Sequence, residues 1–172
     1  MSKNQISPHE GASYRLEMPI VSLRDGVLRA DDFDDLYFDK HDGLAESQHV
    51  FIKGTKLGEK LRVSKHLTIA ETGFGTGLNF LAVLDFLEEF PDHQIDYISY
   101  ESRPLSAEVM ATVHSAFPSL STFSAAILGN LPPRWPGVHL RHFKKGQVRL
   151  HLCYGAAEDG LAMGDFQADI WF

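Results

Sequence analysis

The stretch Leu67-Thr68-Ile69-Ala70-Glu71-Thr72-Gly73-Phe74-Gly75-Thr76-Gly77-Leu78-Asn79-Phe80-Leu81 decides the fold. Its first four residues are a short apolar run bounded by turn signals, which suits a buried parallel strand. Three alternate glycines, Gly73, Gly75 and Gly77, then break the strand pattern. From Leu78 onward Leu78, Leu81, Leu84 and Leu87, with Phe80 and Val83, recur at helical spacing until Pro91. The order strand, glycine turn, helix sets a tight backbone turn beside the free amides of a helix N-terminus. A ligand can approach such a turn closely.

The same alternation continues outward. Residues 95–100 read as a second strand, and Pro104 opens a second helix whose core face is Leu105, Val109, Val113 and Phe117. Residues 121–131 predict a third helix. Residues 139–143 and 148–154 predict strands joined by Lys144-Lys145-Gly146-Gln147, with Val148, Leu150, Leu152 and Tyr154 on one face. Leu161 falls in a short helical turn, and residues 168–172 begin another strand. Strands alternating with helices imply an α/β sheet with right-handed crossovers. Upstream the chain is irregular. Val21 and Leu23, then Asp25-Gly26, then Val27 and Leu28 predict a small hairpin. Residues 31–38 read either as one helical turn or as a loop that tucks Phe33, Tyr37 and Phe38 inward.

The glycine turn discriminates between ligands. A dinucleotide fingerprint counted from Gly73 needs glycine at position 78, which is Leu, and no Gly-Lys-Ser/Thr follows for a nucleotide-phosphate loop. What stands there is an acid, Glu71, two residues before the first glycine. It would repel an all-phosphate ligand and suits a cofactor with a cationic amino-acid end. S-adenosylmethionine carries an ammonium and a sulfonium. A second acid, Glu101, directly follows the second strand, where a carboxylate accepts hydrogen bonds from ribose hydroxyls. An NAD-type oxidoreductase domain is the competing reading, disfavoured by Leu78 and Glu71. The bland alternative is a turn that merely reverses the chain.

Composition narrows the class. In 172 residues, 44% apolar, there is material for a packed core without staples. The longest uninterrupted apolar run, residues 80–84, is far short of the roughly 20 residues that span a bilayer, so a membrane is not expected and a cytoplasmic location is. One cysteine, Cys153, excludes an intrachain disulfide and is expected as a packed structural thiol. The histidines lack metal-ligand spacing, and no metal site is expected. The net charge of −7 argues against a general nucleic-acid binder. It hides a local strip, however: residues 134–151 hold five Lys and Arg, three His and no acid. That strip is either a solvated hairpin or a phosphate-contacting surface to which Arg141, Lys144, Lys145 and Arg149 contribute.

The run from Thr68 to Leu81 closely resembles the methyltransferase domain of the tRNA 5-methylaminomethyl-2-thiouridine biosynthesis protein family. Phe33-Asp34-Asp35-Leu36-Tyr37-Phe38, Gly43-Leu44-Ala45-Glu46-Ser47 and Val50-Phe51 upstream, and Tyr100-Glu101 and Ala168-Asp169-Ile170-Trp171-Phe172 downstream, fit that family in order. The resemblance implies a Rossmann-like class I fold over residues 66–172, behind an N-terminal extension, residues 1–65, that covers the site. It implies S-adenosylmethionine as cofactor and methyl transfer to the aminomethyl nitrogen of the wobble uridine in tRNA. It implies FAD only in a fused or separate oxidoreductase partner. By the match, Glu71, Gly73, Phe74, Gly75, Thr76, Gly77 and Asn79 border the methionine end, Glu101 holds the ribose, and Phe33, Tyr37 and Glu46 belong to the cover. Gly155 and Ala156 stand where the family reads Gly-Asp at the adenine, so here Ala156 replaces the aspartate.

The family continues past residues 170–172 with Leu-Asp-Gly-Phe, and its aspartate is the candidate for orienting the amine. That position would fall beyond Phe172, so no catalytic residue is assigned here. The expectation is therefore a sheet shortened in or after its fourth core strand, with an apolar open edge. A folded cofactor-binding fragment without turnover is the alternative function.

Overall fold

The computed structural model describes residues 16–24, 27–30, 35–36 and 43–172. Two sheets form. The smaller runs β1 (Val21–Arg24), β2 (Val27–Ala30) and β3 (Asp35–Leu36), all antiparallel. Arg24 pairs with Val27, as the expected hairpin requires. Its Asp25-Gly26 turn lies outside the described residues, as do Phe33 and Tyr37. Neither the helical turn nor the loop expected over residues 31–38 accounts for Asp35–Leu36. They add a third strand to β2, with Arg29 opposite Leu36.

The larger sheet contains β4 (His66–Thr72), β5 (Gln94–Glu101), β6 (Gly137–Phe143), β7 (Val148–Tyr154) and β8 (Ile170–Trp171), in the order β6-β7-β5-β4-β8. β7, β5, β4 and β8 are parallel, and β6 folds back antiparallel on β7. From β4 the chain goes first to β5 and β7 on one side. It then returns to place β8 on the other. That reversal is a topological switch point, where open α/β sheets bind ligands at the carboxyl ends of their strands. Asp169 secures the return: its carboxylate accepts from the Thr68 amide at 2.7 Å, and its own amide donates to the Thr68 carbonyl.

Among the described residues six α-helices accompany the sheets: α1 (Gly43–Ser47), continued by a π-helical turn (Gln48–Lys53), then α2 (Leu57–Val63), α3 (Leu78–Phe86), α4 (Ala107–His114), α5 (Ser121–Leu128) and α6 (Ala157–Met163). α3 is buried almost all round because α1, the π-helical turn and α5 pack on it. Alternation along the strands sends Ile69, Tyr97 and Leu150 into that core. The opposite face carries Asp96, Arg149 and His151. The helix expected from Pro104 starts at Ala107 instead, because the Ser106 hydroxyl accepts from the Val109 amide and caps it there. Its buried face becomes Met110, Val113 and His114, with Val109 only half-buried. α5 stops at Leu128, three residues short of expectation, where Gly129 ends it. Among the described residues no helix is long and apolar enough to cross a membrane.

Candidate cofactor site

The parallel strands deliver three loops to one end of the sheet. After β4, the amides of Gly73 and Phe74 donate to the Tyr100 carbonyl at 2.8 and 3.2 Å. After β7, the Gly155 amide donates to the Glu101 carbonyl at 3.0 Å. The end of β5 thus ties both neighbouring loops. It brings together Glu71, the glycine turn, Asn79, Glu101, Gly155 and Ala156, the residues that the sequence placed at a cofactor.

Within the turn the glycines do different things. Gly77 has φ 75°, and a Cβ there would sit 3.0 Å from the Phe74 ring, so its bareness is a packing requirement. Gly73 has φ 90° and nothing within 4 Å of where a Cβ would be, so it leaves an open backbone edge.

The two acids differ in setting. Glu101 is half-buried and accepts from the Gly75 amide and the Arg103 amide, each at 2.8 Å. Each carboxylate oxygen keeps acceptor capacity for a further donor. Glu71 is 3% exposed and accepts from Asn79 Nδ2 at 2.9 Å and Ser99 Oγ at 2.7 Å. Burial pushes its pKa up to about 7. Hydrogen bonding from Ser99 and Asn79 and the nearness of Tyr97 restrain the rise, and the charge of Glu101 adds to it. The Tyr97 hydroxyl beside it is buried and makes no hydrogen bond of ordinary length, yet it lies near enough to Glu71 for the two groups to shift each other's pKa.

Sequence reasoning missed His114, which supports the turn from behind. Its Nε2 lies 2.7 Å from the Thr76 carbonyl and its Nδ1 2.8 Å from Ser124 Oγ. A carbonyl only accepts, so Nε2 carries the proton. Burial lowers the pKa of this imidazole despite the bond to Thr76. A lone histidine near a helix end gives no motif to find it by. Tyr154, at the end of β7, packs edge-on against His139 at 5.1 Å. Burial, reinforced by the charge of Glu101, pushes its phenol up to about 12.

The remaining expected residues lie elsewhere. Glu46 is exposed on α1. Lys144 and Lys145 form the turn between β6 and β7, at the sheet end opposite the glycine turn, roughly 20 Å away along a seven-residue strand. Three of the four basic candidates are engaged within the fold. Arg141 donates to the Asn130 carbonyl, Lys144 pairs with Glu88 over the Phe123 ring, and Arg149 grips Asp96 with two nitrogens. Lys145 is exposed and has no ion pair among the described residues. Cys153 is half-buried, and burial pushes its thiol up, which fits a packed structural role.

A mostly parallel sheet with its switch point beside β4, a glycine turn there and acids on β4 and β5 defines a Rossmann-like methyltransferase fold. The crystal structure of MNMC2 from Aquifex aeolicus has this fold, with a TM-score of 0.68 and 20% identity over 91% of this chain and 49% of that one. No family model matches the chain. It is 41% identical, over 93% of its length, to the tRNA 5-methylaminomethyl-2-thiouridine biosynthesis bifunctional protein MnmC of Marinomonas sp. (strain MWYL1). It is 40% identical over 83% of its length to the protein of that name from Actinobacillus pleuropneumoniae serotype 5b (strain L20). The chain is therefore a relative of the MnmC proteins, as its motifs led us to expect, and it spans about a quarter of their length, 24% and 23% in these two cases.

Proposed function

We propose that this chain is an S-adenosylmethionine-binding methyltransferase unit that acts on the aminomethyl nitrogen of 5-aminomethyl-2-thiouridine at the tRNA wobble position. The observation that carries the reading is the glycine turn at the switch point, hydrogen-bonded through Gly75 to Glu101. The residues fit this cofactor. Glu71 is a buried acid with no cationic partner among the described residues, Tyr97 a buried hydroxyl beside it, and Gly73 an open edge.

When bound, S-adenosylmethionine supplies an electrophilic methyl group on a sulfonium. Glu71 and Asn79 would flank its cationic end, the free lone pairs of Glu101 would take ribose hydroxyls, and Gly155 and Ala156 would border the base. Methyl transfer to an amine is an in-line displacement, so positioning supplies most of the acceleration. The protein's task is to hold the turn rigid, which His114 does through the Thr76 carbonyl and Glu101 through the Gly75 amide. Phe33, Tyr37 and Glu46 are proposed for the cover of the site, residues 1–65 for an extension and residues 66–172 for the cofactor-binding unit. Lys145 is the strongest candidate for a tRNA phosphate contact, since its charge is not spent on a neighbour. FAD we place in an oxidoreductase partner, as the word bifunctional in the relatives' name suggests.

The test is transfer of labelled methyl from S-adenosylmethionine to tRNA carrying the aminomethyl precursor. Label is expected in the wobble nucleoside. Cofactor binding without any transfer would leave a binding fragment and overturn the enzymatic reading.

A further inference from the structure

Glu71 is an acid where acids are costly. Asn79 from α3 and Ser99 from β5 donate to it, and Tyr97 of β5 lies beside it; all three are neutral. The charged group that bears on it is Glu101, of like sign. On the β8 side the Phe172 ring packs 6.0 Å from the Tyr97 ring and closes an apolar wall. A carboxyl desolvated without a cation keeps its proton. The Tyr97 hydroxyl is meanwhile a buried donor that makes no hydrogen bond of ordinary length, although it lies near enough to Glu71 to act on its carboxyl.

We propose that Glu71 is the proton-exchange group of the cofactor site: protonated when the site is empty, it gives its proton to solvent as the cofactor's cationic end arrives, and Tyr97 then turns its hydroxyl onto the new carboxylate. This rests on the reading that the ligand is S-adenosylmethionine. The balance is simple. Glu71 goes from COOH to COO− with release of one proton, no electrons move, and the new charge is offset by the cofactor's own. Tyr97 keeps its proton throughout, because burial and the neighbouring Glu71 hold its phenol well above the ordinary range. A Glu71 value of about 7 puts the exchange near neutral pH, where little free energy is needed to drive it. Tyr97 is a positioning residue in this scheme, acting through Glu71.

Calorimetric titration of the full chain with S-adenosylmethionine, in two buffers of different ionisation enthalpy, reads the proton directly. At about pH 6.5 a large fraction of a proton should leave per cofactor bound, and the release should fall steadily as the pH is raised to about 8.5. Glu71→Gln should abolish the buffer dependence and weaken binding about tenfold. Tyr97→Phe should keep the proton release, weaken binding roughly three- to tenfold, and leave the ligand-free melting temperature close to that of the parent, since the hydroxyl makes no hydrogen bond of ordinary length before ligand arrives. A buffer-independent heat at the lower pH, or a release that survives Glu71→Gln, overturns the inference and leaves the cofactor reading standing. A Tyr97→Phe variant that melts several degrees lower without ligand overturns the reserve-donor role. Absence of any binding overturns the cofactor reading itself, and this inference with it.

Discussion

The Gly75 amide donates to a Glu101 carboxylate oxygen at 2.8 Å, so the acid at the end of β5 fixes the turn that follows β4. One side chain thereby shapes the loop and, in our account, holds the ribose. Glu101→Ala loses both functions. We expect S-adenosylmethionine affinity to drop at least tenfold and stability to fall by about 1–3 kcal/mol as the Gly75 and Arg103 amides lose their acceptor. Glu101→Gln, with one acceptor oxygen left, should fall between. Equilibrium dialysis and urea unfolding measure the two effects. Undiminished affinity in Glu101→Ala would remove Glu101 from the ribose.

His114 joins the Thr76 carbonyl to Ser124 from within the core. His114→Ala should cost about 1–3 kcal/mol by stranding the Thr76 carbonyl. The pH dependence has a definite sign. Burial lowers the folded pKa below its ordinary 6.5, so the unfolded chain binds more protons between the two values. Stability from this group is full above about pH 6.5 and is lost as pH falls below it. Glu71 works in the opposite direction. Its folded value of about 7 exceeds the ordinary 4.5, so its contribution declines as pH rises across that window. Glu71 is common to wild type and variant, so their difference in unfolding free energy isolates His114. That difference should be smaller at about pH 5.5 than at about pH 7.5; equal values would contradict the burial argument.

Asp96 gathers three partners from two neighbouring strands. Arg149 of β7 donates with two nitrogens, His66 of β4 bonds at 2.7 Å, and His151 stands at 3.4 Å. Partial burial raises its carboxyl pKa, but the hydrogen bonds from Arg149 and His66 outweigh it, so the net shift is downward. The stability this gives is present above about 3.8 and lost as pH falls through the lower folded value. Asp96→Asn should destabilise by about 1 kcal/mol at neutral pH, less in high salt. Chemical denaturation at two ionic strengths tests it, and a neutral variant would mean the cluster is solvated decoration.

Lys144 and Lys145 are adjacent but not equivalent. Lys144→Glu breaks an ion pair with Glu88 and loses the Phe123 ring, so part of any effect is structural. Lys145→Glu removes a charge that is free to meet phosphate. It should weaken tRNA binding with unchanged melting temperature and lower the salt slope by about one. An unaltered slope would place this end of the sheet away from the tRNA.

The core of the fold is legible in the sequence because its signals are local. The apolar run at Leu67, the alternate glycines and the leucine spacing of α3 sit within 20 residues and agree with one another. Other features depend on partners far along the chain. Nothing near Arg149 says that it will face Asp96, 53 residues earlier, rather than solvent. Nothing near Lys144 announces Glu88, 56 residues away. Charge patterning found the basic strip but could not say at which end of the sheet it would lie. Tyr97 reads as one more core aromatic until its register opposite Ile69 puts the hydroxyl near Glu71. The start of α4 is not legible locally because a proline suited to a first turn, Pro104, lies two residues before Ser106, the serine that caps the helix.

The central claim is that the glycine turn, with Glu71 before it and Glu101 after the next strand, takes S-adenosylmethionine and not a dinucleotide. Equilibrium binding of both ligands to the intact chain tests this most directly. The account predicts saturable S-adenosylmethionine binding that excess NADH does not displace and that Glu101→Ala weakens. Saturable NADH binding, with S-adenosylmethionine failing to compete, would contradict it.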